Sequence, residues 1–291
     1  MNKKSFLCLL LALYFFSASA QQNQEKVRFI FGTDVHQTIH NSRDRHNGFK
    51  QALNKMKESN ADFVILGGDL VDISGISYKV SKRQTDSMYR VFKQTVDETK
   101  LRYYLTIGNH DRYYDKDNGY VEGDEIFKEY FKESYYTFEE KGVRFFILNS
   151  VQDVAGKDGF YVGEKQMEWL KNELSKVSAS TPIVVSTHVP VYSLYYPVVD
   201  GKYVFVDVIM NFKELLKTFE NHNLKLVLQG HQHIYEEIFL QNVRYITAGA
   251  VCAGWWSGPF HGTDMGFLIV EADKSGDFTW EYVDFGWSAK E

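Results

Sequence analysis

Cysteine is almost missing from this chain. Of 291 residues only two are cysteines, and one of them, Cys8, lies in an N-terminal segment expected to be removed. No intrachain disulfide can then staple the fold, and an apolar core must hold it together. Proline is scarce as well, with four residues in all, and low-complexity or Gly/Ser-rich stretches are absent. Nothing inside the chain reads as a linker and no internal repeat stands out, which favours one large domain. A basic excess is lacking: 33 Lys and Arg face 38 Asp and Glu, the wrong balance for general nucleic-acid binding. No apolar run reaches the roughly 20 residues that a membrane-spanning helix needs.

What is present begins with a short apolar run at residues 6–16, preceded by Lys3 and Lys4 and followed by Ala18-Ser19-Ala20. That order of charged, apolar and small residues is the pattern of a secretory signal. Cys8 sits within the run rather than at its end, which speaks against a lipid-modified cysteine. The expectation is a signal peptide over 1–20, cleavage after Ala20 and a single domain over 21–291. The protein would be exported to a periplasm or secreted, with no membrane span left.

Short β-branched and aromatic stretches flanked by Gly or polar residues predict strands over 27–32, 63–66, 103–107, 143–148, 183–186 and 224–228. Between them lie amphipathic segments. Residues 47–59 carry Phe49, Leu53 and Met56 on one face, 164–176 carry Met167, Leu170 and Leu174, and 211–221 carry Phe212, Leu215, Leu216 and Phe219. Strands alternating with helices imply parallel pairing in a layered α/β fold. The last third differs: 243–248, 267–271 and 278–283 read as strands joined by short turns, a β meander over about 243–291.

The strand ends carry the chemistry. The first ends in Thr33-Asp-Val-His36, the second in Gly67-Gly-Asp69, the third in Gly108-Asn-His-Asp111, the fifth in Thr187-His188 and the sixth in Gly230-His-Gln-His233. Sites in open α/β sheets form beyond the carboxyl ends of the strands, so these tips can converge. The i, i+2 spacing of Asp34/His36 and His231/His233 puts each pair on one side of an extended segment. Gly precedes three of the blocks, where backbone must approach a centre closely. Taken singly, each piece also reads as a turn or a satisfied polar residue at a strand end; the ordered set of five is what argues for a site.

That set resembles the calcineurin-like metallophosphoesterases, whose signature is D-x-H, G-D, G-N-H-D/E, H and G-H-x-H in this order. The resemblance implies a four-layer αββα sandwich, with two β-sheets flanked by helices, and two bound metal ions. It implies that Asp34, His36 and His233 hold one ion, that Asn109, His188 and His231 hold the other, and that Asp69 bridges them. His110 would then protonate the leaving alkoxide. For Asp111 two readings stand, as a carboxylate that hydrogen-bonds His110 and raises its basicity, or as a cap or turn residue.

Mixed imidazole, carboxylate and amide donors suit Mn, Fe or Zn rather than Ca or Mg. Two such ions leave a positive centre in an acidic protein. They lower the pKa of bound water toward ~7, and the resulting hydroxide attacks phosphorus without a protein base. Departures narrow the family. Gly68-Asp-Leu-Val-Asp72 starts like the phosphoprotein-phosphatase block, but Ile73 and Ser74 replace its Arg-Gly and Ile107 replaces its second arginine. Purple acid phosphatases place a tyrosine where this chain has Asp72.

The expected substrate is a small-molecule phosphate ester, a mono- or diester. Tyr192 and His261, beside Asn109, are the candidate substrate contacts. Tyr195, Tyr196, Tyr203, Trp255 and Trp256 stack on a substrate ring or simply pack. Asn149 and Ser150 end the fourth strand within possible reach, and His40, His46 and His222 belong to no block. The rival reading is a protein that binds a phosphate ligand or a partner on an inactive scaffold of this type.

Overall fold

The computed structural model describes residues 26–39, 44–73 and 80–288; the expected signal segment 1–20 and His40 lie outside them. Along the chain come β1 (Val27–Gly32), α1 (Arg45–Glu58), β2 (Phe63–Leu66), α2 (Lys82–Asp97), β3 (Tyr103–Leu105), α3 (Glu125–Phe131), β4 (Tyr136–Glu140) and β5 (Val143–Ile147). A ribbon of β6 (Gln152–Val154) and β7 (Lys157–Tyr161) follows, then α4 (Glu164–Leu174), β8 (Pro182–Ser186), α5 (Phe212–Thr218) and β9 (Asn223–Gln229). The chain ends with β10 (Glu236–Leu240), β11 (Val243–Thr247), β12 (Gly266–Ala272) and β13 (Phe278–Asp284).

Two sheets result, ordered β13-β12-β1-β2-β3 and β10-β11-β9-β8-β5-β4. Their centres are parallel, β1 with β2 and β2 with β3 in one sheet, β5 with β8, β8 with β9 and β9 with β11 in the other. Antiparallel strands close both edges of the second sheet and the β13 edge of the first.

Side-chain alternation along β1 explains the layering. Val27, Phe29 and Phe31 face a core shared with Val143, Phe145 and Ile147 of β5 and Leu226 and Leu228 of β9, all buried between the sheets. The Phe29 ring meets Phe145 edge-on with centroids 5.2 Å apart. The opposite faces bury the helices: Phe49 of α1 stacks on Phe92 of α2 at 5.5 Å, and Phe146 of β5 packs against Trp169 of α4 and Phe219 beyond α5. Helix, sheet, sheet and helix form the expected four-layer αββα sandwich.

The C-terminal third departs from the expected meander. Its strands are β-rich but divided between sheets: β11 joins the second, while β12 and β13 form a hairpin on the first. The physical reason is that β11 already has β9 as a parallel partner, so the chain must cross over to protect the edge of β1. Residues 248–265 make that crossing, and the crossing carries them over the carboxyl ends of both sheets. Among the described residues no helix is long and apolar enough to cross a membrane.

Candidate metal centre

Because the central strands run parallel, their carboxyl ends lie together. β1, β2 and β3 deliver Asp34, His36, Asp69 and Asn109 from one sheet; β8 and β9 deliver His188, His231 and His233 from the other. Hydrogen bonds sew the sheets together here. His231 N donates to Asp34 Oδ2 (3.0 Å), and the hydroxyls of Thr106 and Ser186 meet at 2.7 Å. His188 Nδ1 donates to the Gly67 carbonyl (3.0 Å).

The side chains converge tightly. His36 Nε2 lies 3.2 Å from His233 Nε2, and His233 Nε2 lies 3.3 Å from Asp34 Oδ1. Asp69 turns one oxygen to each half: Oδ2 is 3.5 Å from His36 Nε2, Oδ1 is 3.2 Å from His188 Nε2. Asn109 Oδ1 sits 3.1 Å from His188 Nε2. His231 has a ligand nitrogen within 4.8 Å of the corresponding atoms of Asp69 and His188. The other ring nitrogen of His188 and of His233 is occupied by a backbone carbonyl, Gly67 for the first and Ala253 for the second (2.6 Å), which turns Nε2 inward.

Asp34, His36, Asp69, His188 and His233 are essentially buried. Burial disfavours the Asp34 carboxylate, yet His233 and His188 hold it well below the usual carboxylate range. Asp69 is held down likewise by His188 and His110. Burial presses His36 down to about 3, so its ring is neutral and offers a lone pair. Burial lowers His188 too, but Asp69 and Asp34 prevail and push it up to about 9. Protons are here drawn to a place that favours positive charge.

The donor set, imidazoles with carboxylates and an amide oxygen, fits metal ions. Asp34 Oδ1 is fully buried and makes no hydrogen bond among the described residues, a costly arrangement unless a cation completes it.

The local backbone is strained to achieve this. Asp34, His36, Asp69, His231 and His233 all have positive φ, between 50° and 73°. Left-handed backbone at non-glycine residues costs of order 1–2 kcal/mol each and clusters at functional sites. The i, i+2 pairs therefore converge through left-handed turns rather than along an extended segment, a correction to the geometry expected from spacing.

Glycine permits the close approach. A Cβ at Gly108 would lie 2.2 Å from Asp69 N and Oδ1. Gly108→Ala is expected to cost about 3 kcal/mol, lowering Tm of the metal-free protein by several degrees. Gly119→Ala, at φ 87° with open space around it, loses only about 1 kcal/mol. Thermal melts of the two variants check the difference.

His110 lies at the mouth, its ring centroid 4.7 Å from that of His36. Its Nδ1 bonds Asp72 Oδ1 at 2.8 Å. Burial opposes protonation, but Asp69 and Asp72 raise His110 to about 8. The carboxylate partner is thus Asp72, not Asp111. Asp111 accepts from Val71 N (2.9 Å) and Gly108 N (2.8 Å), so it is a turn residue bracing the loop, the second of its two readings. The Gly-Asp-Leu-Val-Asp72 run carried the signal for Asp72.

The substrate candidates separate. Asn109 is in the centre. His261 is exposed on the rim, its ring 4.4 Å from Phe260 and 5.9 Å from Tyr195. Tyr192 is turned elsewhere: its ring packs on Phe212 and Tyr245, on the α5 side of the second sheet, because the bond from Gln229 Nε2 to its carbonyl sets the backbone (2.9 Å). Asn149 and Ser150 brace backbone, Asn149 with Gln166 and Ser150 with Val189 N. Trp256 is buried with its Nε1 on the Val35 carbonyl, whereas Trp255, 40 % exposed, stacks on His233 at 4.3 Å. His46 lies on α1 and His222 follows α5, in the helix layers. Sequence reasoning missed the Ala253 carbonyl, which every residue type offers, and Asp207, whose Oδ1 is 3.8 Å from His231 Nε2.

A sandwich of this topology, gathering such donors from both sheets, defines a two-sheet scaffold built around a candidate metal site. The model of the calcineurin-like phosphoesterase family matches residues 27–235, and the chain belongs to that family. No curated protein sequence matches it. Similar solved structures include a dimetal phosphatase from Danio rerio, 12% identical, with TM-score 0.61 over 89% of this chain and 99% of that one. The purple acid phosphatase PPD1 of yellow lupin (Lupinus luteus) is 16% identical, with TM-score 0.59 over 92% of this chain and 53% of that one. GAP50, the anchor in the inner membrane complex of Plasmodium, is 17% identical, with TM-score 0.56 over 90% and 85%. At these identities the likeness is one of fold.

Proposed function

We propose that the protein hydrolyses a small-molecule phosphate mono- or diester at a site for two divalent ions. One observation carries the reading: Asp69 directs its two oxygens to two separate clusters of inward-turned imidazoles, beside a buried Asp34 oxygen that lacks a hydrogen-bond partner among the described residues. Asp34, His36 and His233 would hold one ion, Asn109, His188 and His231 the other, and Asp69 both. Ions so held supply Lewis acidity and an ionised water at neutral pH. Asn109 adds a neutral donor and leaves the centre positive, ready for a phosphate anion.

The chain's own work is positioning and proton transfer. The Asp72 carboxylate accepts from Nδ1–H and, with Asp69, favours the protonated ring, so Nε2–H of that imidazolium is the group that can donate to the departing oxygen. Trp255 and Phe260 wall one side of the mouth and His261 extends that wall outward. The apolar run 6–16 behind Lys3 and Lys4, with its A-x-A site, supports export of this activity to a periplasm or outside the cell.

Chelation followed by refilling tests the reading. Metal-free protein should be inactive on aryl phosphate mono- and diesters, and Mn²⁺, Fe²⁺ or Zn²⁺ should restore turnover with two ions bound per chain. Two bound ions without turnover on monoesters, diesters, cyclic nucleotides or pyrophosphates would establish a binding protein instead.

A further inference from the structure

Asp207 lies outside every motif of the sequence, yet it touches the centre. It closes the segment 194–207, which follows β8 and His188 and returns beside His231. Three contacts pin it. Its carbonyl accepts from Gln232 Nε2 at 3.1 Å, and Gln232 stands between His231 and His233. Its carboxylate accepts from the Tyr196 hydroxyl. Its Oδ1 lies 3.8 Å from His231 Nε2. Its φ of 52° is left-handed, as at His231 and His233.

His231 differs from His188 and His233. Each of those has a ring nitrogen on a backbone carbonyl, which fixes the ring. The His231 ring lies edge-on to Phe160 at 5.4 Å and to His188 at 5.3 Å. These contacts hold its plane but leave the choice of ring nitrogen open. The carboxylate 3.8 Å from Nε2 is placed to decide it, because an Nε2–H facing Asp207 would leave the Nδ1 lone pair for a cation.

We propose that Asp207 is a positioning residue for His231, and that Tyr196 holds it in place. This rests on the two-ion reading above. It adds that one of the two sites depends on the segment 194–207, while the Asp34/His36/His233 site does not. A carboxylate behind a metal-binding imidazole typically changes metal affinity 10–100-fold.

Calorimetric titration of metal-free protein with Zn²⁺ tests it, with Asp207→Ala, Asp207→Asn, Tyr196→Phe, His231→Ala and Asp69→Asn compared. Asp207→Ala should weaken one of two binding events 10–100-fold and leave the other unchanged. Asp207→Asn, which keeps an acceptor oxygen but no charge, should lose less, and Tyr196→Phe only a few-fold. Wild-type binding of both ions by Asp207→Ala, while His231→Ala loses one, would overturn the role of Asp207 alone. Unchanged binding by Asp69→Asn would overturn the two-ion reading itself. Circular dichroism of the metal-free variants reads folding separately. Should Asp207→Ala not fold, Tyr196→Phe decides the matter, wild-type affinity at both sites then overturning the proposal.

Discussion

Asp69→Asn is expected to lower phosphate-ester hydrolysis by at least about three orders of magnitude and to bind fewer than two ions. The size follows from geometry. Asp69 faces His36 with one oxygen and His188 with the other, so one substitution damages both halves of the centre. A single missing group that stabilises developing charge already costs about 10²–10³ in rate. The amide keeps the shape and removes the charge. The backbone role survives in part, because His110 N donates to Asp69 Oδ1 at 2.8 Å and an amide oxygen can still accept. The variant should therefore fold, and elemental analysis alongside initial rates checks both halves of the expectation.

His110→Ala is the second large effect, of a different kind. His110 lies within ligand distance of His36 and Asp69 but is not among the seven ligands assigned above, so two ions should stay bound. The rate should fall about 10²–10⁴-fold for alkyl phosphates, whose leaving oxygen needs a proton, and much less for nitrophenyl phosphate, whose leaving group departs as the anion. Each tenfold loss corresponds to about 1.4 kcal/mol of activation free energy. Asp72→Asn should follow the same substrate dependence with a smaller loss, since the ring remains and only its orientation and basicity change. A uniform loss across substrates, or loss of metal, would assign His110 to the centre rather than to proton transfer. Rates on an alkyl and an aryl ester, measured with metal content, separate these outcomes.

The parts of this fold legible in the sequence were those governed by local pattern. Parallel strands with β-branched runs are written continuously, as in Phe63–Leu66, and short ligand blocks follow five of them, β1, β2, β3, β8 and β9. Where contacts between distant segments decide, the text was silent or misleading. The helix Lys82–Asp97 carries Met88, Tyr89, Phe92 and Val96 at helical spacing, a period that was there to be found. Asp111 was paired with its neighbour His110 by proximity in sequence, but Gly108 N and Val71 N claim its oxygens, and Asp72 arrives through folding. Tyr192 was placed at the site because it follows His188, yet a single hydrogen bond from Gln229 redirects that stretch. The division of the last three strands between two sheets depends on which edge needs a partner, and alternation within a strand says nothing of that.

The centre draws its donors from both β-layers, with Asp34 and Asp69 on one side and His188 and His233 on the other. An ion held across that seam would work as a rivet between two plates. Occupancy and cohesion then become one equilibrium, since whatever binds the folded form alone also deepens its free-energy well. Scarcity of metal would then cost this protein twice, first the chemistry proposed for it and then the resistance of its open end to unravelling.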